Sequence, residues 1–169
     1  AVHGDIEGAS DIFSMMEDDF KSGNNDAKPN MRTYNTLINA WSKSSDVDAP
    51  QQARNILSKI ISLHSNGALD EAPNTITYCS VMDAYAVHGD IEGASDIFSM
   101  MEDDFKAGNN DAKPNMITYN ILINSWSKSS DVDAPQQARN ILNKMISLHS
   151  NGALDKAPNT ITYSSVMDT

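Results

Sequence analysis

The chain has 169 residues and a formal charge of −11, from 23 Asp and Glu against 12 Lys and Arg. This acidity favours solubility and disfavours unassisted attraction to phosphate backbones or anionic membranes. One cysteine, Cys79, excludes a disulfide framework or a Cys-based zinc site within the chain, and no apolar run or signal-type segment is long enough to predict a membrane span or leader.

Taken in chain order, residues 1–30 carry an amphipathic stripe of Ile12, Phe13, Met16 and Phe20 beside the acidic cluster Glu17-Asp18-Asp19, which is assigned to a solvated outer face. Tyr34, Leu37, Ile38 and Trp41 then recur at spacings of three and four and predict a helix over about 31–44, here termed helix A. Asn30 caps its start, and Pro29 bars helix upstream. Ala53, Ile56, Leu57, Ile60, Ile61 and Leu63 form the stripe of a second helix, B, opened by Asp48 with Pro50 in the first turn and closed by Asn66-Gly67. The pattern returns with Tyr78, Val81, Met82 and Tyr85 on a helix A. Ala94, Ile97, Phe98, Met101 and Phe105 mark a helix B from about Asp90 to Gly108, with a second acidic cluster at Glu102-Asp103-Asp104.

Residues 1–84 reappear as 86–169 with nine differences: Ser22/Ala107, Arg32/Ile117, Thr36/Ile121, Ala40/Ser125, Ser58/Asn143, Ile60/Met145, Glu71/Lys156, Cys79/Ser164 and Ala84/Thr169. A weaker echo relates Met31–Trp41 to Thr75–Tyr85, each preceded by Pro-Asn. Cutting after Pro-Asn gives units at 31–74, 75–115 and 116–159, flanked by incomplete units at 1–30 and 160–169. A helix pair cannot bury both stripes alone, so the units stack into one continuous all-α solenoid rather than enclosing a deep core.

Thr33-Tyr34-Asn35-Thr36-Leu37-Ile38-Asn39-Ala40-Trp41-Ser42-Lys43 with Ala72-Pro73-Asn74, Ile117–Asn124, and the run from Thr77-Tyr78 to Gly89-Asp90-Ile91-Glu92-Gly93-Ala94 resemble the pentatricopeptide repeat. The resemblance covers nearly the whole chain. Family units are about 35 residues, whereas these are 44, 41 and 44. The extra residues fall at the end of each helix B and its loop (Ser22–Asn25, Ser65–Leu69) and in the turn at Asp46–Asp48, so helix B is expected to protrude on the convex side. Members are also generally basic, which this chain is not.

The resemblance implies single-stranded RNA binding at one base per repeat, with two or three side chains reading each base edge. The implied readers are the residue after the helix-A Tyr and the residue closing the unit: Asn35 with Asn74, Cys79 with Asn115, and Asn120 with Asn159; Ser164 opens the last unit. Family usage makes Asn–Asn a pyrimidine reader, since an amide both donates and accepts. Arg32, Ile76, Ile117 and Ile161 match the family's base-sandwiching position. Lys43 and Lys128 match its phosphate contact, which Val87 lacks. A plainer account stands beside each role: helix capping for Asn30, Asn74, Asn115 and Asn159, inter-unit packing for the isoleucines, and the helix dipole for the lysines.

No catalytic constellation and no cofactor is expected. His3, His64, His88 and His149 adjoin loops without ligand-spaced partners and are assigned to turns or helix ends, and the methionines to core packing. The chain looks like a segment of a longer array, split inside a helix A at both ends. Residues 160–169 would be continued by Ala1-Val2-His3-Gly4-Asp5, so a head-to-tail contact between copies, the alternative to two fraying half-units, would rebuild the split unit. The competing function is therefore a protein-interaction or self-assembling scaffold that does not bind RNA. By the resemblance alone the setting is intracellular, in a mitochondrion or plastid, with a role in RNA processing.

Overall fold

The computed structural model describes residues 6–169, which form helices and turns without strands. The helices are α1 (Ile6–Lys21), α2 (Met31–Ser42), α3 (Ala49–Ser65), α4 (Thr75–Val87), α5 (Ile91–Lys106), α6 (Met116–Ser127), α7 (Ala134–Ser150) and α8 (Thr160–Met167). The predicted A helices are α2, α4, α6 and α8, and the predicted B helices are α1, α3, α5 and α7. Among the described residues the predicted helix order is therefore complete.

Each A helix packs on the B helix of the unit before it, and α2, α4 and α6 pack in addition on the B helix of their own unit and on the A helix of the next. Backbones of successive B helices do not approach one another among the described residues. The A helices thus form a continuous stacked layer, and the B helices a second layer that is bridged by long side chains. Arg54 reaches from α3 to Asp96 of α5 at 3.7 Å, Lys59 of α3 pairs with Glu17 of α1, and Lys144 of α7 lies 2.8 Å from Glu102 of α5.

The core is the predicted set of stripes. Tyr34, Ile38, Leu57 and Ile60 in one unit, Tyr78, Val81, Met82, Ile97 and Met101 in the next, and Tyr119, Ile123 and Met145 in the third are all buried. They join into a single seam through the stack. That is the arrangement a repeat needs when no unit holds enough apolar surface of its own.

The B helices of the long and short units are nearly equal in length, 17 residues in α3 and 16 in α5. After α3 the chain turns at Gly67, whose φ of 74° suits glycine, and folds back. Leu69 N–H donates to Leu63 O at 3.0 Å, His64 Nδ1 lies 3.2 Å from Leu69 O, and the Leu69 side chain is buried in the seam. Leu154 and His149 repeat this. Burying one leucine side chain, worth about 1.5–3 kcal/mol, favours the fold-back over an extended loop.

His64, His88 and His149 occupy helix ends, as assigned. His88 bridges units, with Nδ1 2.8 Å from Ala84 O and Nε2 2.9 Å from Asp46 O in the preceding A–B loop. His3 lies outside the described residues.

Candidate nucleic-acid interface

The Pro-Asn steps build a repeated helix cap. Asn74 is extended (φ −118°, ψ 177°), its Oδ1 accepts the Thr77 N–H at 3.1 Å, and its own N–H donates to Thr77 Oγ1 at 3.2 Å. Asn30 with Thr33, Asn115 with Thr118 and Asn159 with Thr162 form the same reciprocal box. Capping therefore holds for all four closing asparagines. It does not consume the side chain, because among the described residues the Nδ2 group of Asn74 has no protein acceptor.

The residue after each helix-A Tyr lies beside the cap of the following unit. Asn35 Oδ1 accepts from Thr77 Oγ1 at 2.8 Å, and Asn120 Oδ1 accepts from Thr162 Oγ1 at 2.8 Å. In the short unit, Cys79 Sγ lies 3.5 Å from Thr118 Oγ1. The sequence reading singled out the two asparagines of each pair and missed the threonine between them. Its signal was the Thr that precedes every helix-A Tyr.

Asn35, Asn74, Arg32 and Ile76 line one open concavity of about 470 Å³, together with Asn39 and Glu71. The residues expected to read a base and those expected to flank it thus come together from two adjoining units. Asn115, Ile117 and Lys156 line a second concavity of about 290 Å³. Ile76, Ile117 and Ile161 are 64%, 58% and 67% exposed. The apolar residues at the sandwiching position therefore face outward and are not consumed by inter-unit packing. Four of the nine differences between the copies, Arg32/Ile117, Thr36/Ile121, Glu71/Lys156 and Cys79/Ser164, fall on this surface or at a reading position.

Electrostatics along the same layer are mixed. Lys43 and Lys128 cap the C-termini of α2 and α6 and are exposed. Between them on α4 is half-buried Asp83. Burial pushes its carboxyl above the usual range, while Lys128 and then Lys43 pull it down. The two lysines therefore already face an anion, which the sequence reading did not foresee. Burial likewise raises the Cys79 thiol, offset in part by the Thr118 hydrogen bond. No group of metal-ligating side chains occurs among the described residues.

The acidic clusters are less solvated than expected. Asp18 and Asp103 are exposed, but Glu17 and Glu102 are partly covered by Lys59 and Lys144. Asp104 accepts from Tyr78 Oη at 3.0 Å and from Asn109 Nδ2 at 2.7 Å. Glu17 and Glu102 thus tie neighbouring B helices, whose backbones stand too far apart to pack directly, and Asp104 ties α5 to α4.

The repeat family PPR matches residues 73–128, and the PPR repeat matches residues 32–49 and 117–150, together more than half the chain. The chain belongs to the pentatricopeptide repeat family. A pentatricopeptide repeat-containing protein of Arabidopsis thaliana is 29% identical over 133 residues, 79% of this chain and 20% of that protein. A putative pentatricopeptide repeat-containing protein of the same plant is 26% identical over 147 residues, 84% of this chain and 39% of that protein. The chain thus spans well under half the length of these pentatricopeptide repeat relatives. No helix among the described residues is long and apolar enough to cross a membrane.

Proposed function

We propose that this pentatricopeptide repeat segment binds single-stranded RNA without catalysis, one base per repeat, through the exposed edge of its A-helix layer. The observation that carries the reading is the shared concavity of Asn35, Asn74, Arg32 and Ile76, which brings two amides together with a guanidinium and an exposed isoleucine. Stacking surfaces and hydrogen-bonding groups in one cleft are what recognition of an unstacked base requires. Asn120 with Asn159 forms the corresponding pair in the third unit, and Cys79 with Asn115 the pair between them, with Ser164 opening the last unit. Lys43 and Lys128 supply phosphate contacts, and the acidic B layer lies on the other helices. Family resemblance puts the setting in a mitochondrion or plastid and the role in RNA processing.

The test compares pyrimidine-rich with purine-rich single strands at two salt concentrations, with Asn35→Ala/Asn120→Ala as control. Binding that weakens with salt, prefers pyrimidines and is lost in the double variant supports the reading, since phosphate contacts release counterions. Absence of binding at low salt overturns it.

A second reading, a head-to-tail contact between copies, is favoured by one comparison. Ile97 is fully buried beneath α4, whereas Ile12, its counterpart in the first copy, is 69% exposed beside a cleft of about 360 Å³ lined by Phe13, Met16 and Leu37. Helix α8, similar in sequence to the start of α4, leaves Tyr163 and Met167 exposed. It offers in a second copy the surface that α4 offers to α5. A preceding helix of the same kind in a longer array would seat in the same cleft. Sedimentation that shows a monomer at every concentration retires this reading.

A further inference from the structure

Building on the RNA-reading proposal, we infer that the threonine at the third position of each A helix is a positioning residue, one that sets which face of the neighbouring asparagine amides a base meets. Thr77 is fully buried and its hydroxyl joins both members of a reading pair. It accepts from the Asn74 backbone N–H at 3.2 Å and donates its single proton to Asn35 Oδ1 at 2.8 Å. The Thr77 N–H meanwhile donates to Asn74 Oδ1 at 3.1 Å. A backbone N–H can only donate, so Asn74 must turn its oxygen inward. The hydroxyl proton has two amide oxygens in reach, Asn35 Oδ1 at 2.8 Å and Asn74 Oδ1 at 3.2 Å, and the shorter contact turns the oxygen of Asn35 inward as well.

Both NH₂ groups are thereby left without a protein acceptor among the described residues and belong to side chains lining the cleft. Two donors fit a base edge that presents acceptors, as N3 and O2 of cytosine do. Thr162 repeats the bond to Asn120 at 2.8 Å. The first unit supplies a comparison within the chain. Thr33 makes the same cap with Asn30, and its hydroxyl donates to Asn30 O at 2.7 Å rather than to a reading amide. The short unit lacks the amide, because Cys79 stands there. Fixed donors thus recur at alternate units, at Asn35 and Asn120, with a position between them that reads differently.

Two measurements test this on the intact chain. In the RNA-free protein, heteronuclear relaxation of the side-chain amides should show Asn35 and Asn120 as ordered as the backbone, mobile in Thr77→Val/Thr162→Val, and ordered again in Thr77→Ser/Thr162→Ser. Amides already mobile in the unchanged protein overturn the inference whether or not RNA binds. With RNA, the Val pair should lose about tenfold in preference for C-A-C over A-A-A within an otherwise uniform strand, with the salt dependence unchanged. Thr33→Val, which removes the same type of cap bond, should leave that preference intact. Equal loss in Thr33→Val, or full preference in a folded Val pair, would overturn the positioning role. Ordered amides with no RNA binding would instead defeat only the reading on which it rests.

Discussion

Lys144 Nζ lies 2.8 Å from Glu102 Oε1 and at once 5.1 Å and 5.6 Å above the ring centroids of Phe98 and Tyr119. Phe98 and Tyr119 themselves meet edge to face at 5.4 Å. One ammonium therefore ties α7 to α5 and covers the aromatic joint between α5 and α6. In the first copy Lys59 does the same for Glu17, Phe13 and Tyr34. Replacing Lys144 by Ala should lose about 1 kcal/mol, since a half-exposed ion pair adds little to the cation–π contact. Thermal melting should record a drop of roughly 2–4 °C.

Gly93 opens α5 against Tyr85. A Cβ there would stand 2.1 Å from Tyr85 Cδ1 and 2.3 Å from Cε1, and Tyr85 is itself buried. Gly93→Ala should therefore destabilise by about 1–3 kcal/mol or more through overpacking, despite the better helix propensity of alanine. Urea titration should show a lower midpoint. An unchanged midpoint would mean that the α4–α5 joint yields more easily than its packing implies.

Asp83 is half-buried and its carboxyl is raised by burial more than Lys128 and Lys43 lower it. The folded state then holds its proton more tightly than the unfolded chain does. Ionisation of Asp83 opposes folding at neutral pH, and this opposition fades as pH falls through the folded pKa toward the unfolded value of about 3.9. Asp83→Asn should raise the melting temperature at pH 7, with the gain vanishing near pH 4. It should also strengthen RNA binding, by freeing Lys43 and Lys128 from a competing anion.

Tyr119 is held up to about 12, by burial first and by the charge of Glu102 second. Tyr78 is raised further, by burial and by Asp104. A phenol with a raised folded pKa stabilises the fold fully below its unfolded pKa of about 10 and loses that contribution as pH climbs through the folded value. Tyrosinate absorbance should accordingly appear late, in step with alkaline unfolding. Tyr119→Phe should delay that unfolding relative to the parent.

Asn74→Asp keeps an N-cap of equal strength while replacing the outward NH₂ by a carboxylate oxygen. Stability should change by only a few tenths of a kcal/mol. Base preference should move toward an edge that offers an N–H in the same place, as uracil N3–H does. A melting temperature that collapses, with preference unmoved, would mean that Asn74 acts as a cap alone.

Sequence by itself determined the repeat, the helix pairs and the core, because apolar residues at three- and four-residue spacing leave a helix one face to bury. Pro-Asn punctuation then fixes where each A helix begins, as Asn30, Asn74, Asn115 and Asn159 bear out through their local backbone. Contacts between units could not be read this way. The Thr77–Asn35 bond joins residues 42 apart, and neither residue type announces its partner. Asp83 becomes an anion between two lysines only when α2, α4 and α6 are laid side by side. The inserted loops fold back only because Leu69 and Leu154 find the seam. Local periodicity specifies each helix and its buried face; the register at which one unit meets the next is set by packing across the stack, and that register decides which polar groups share a cleft.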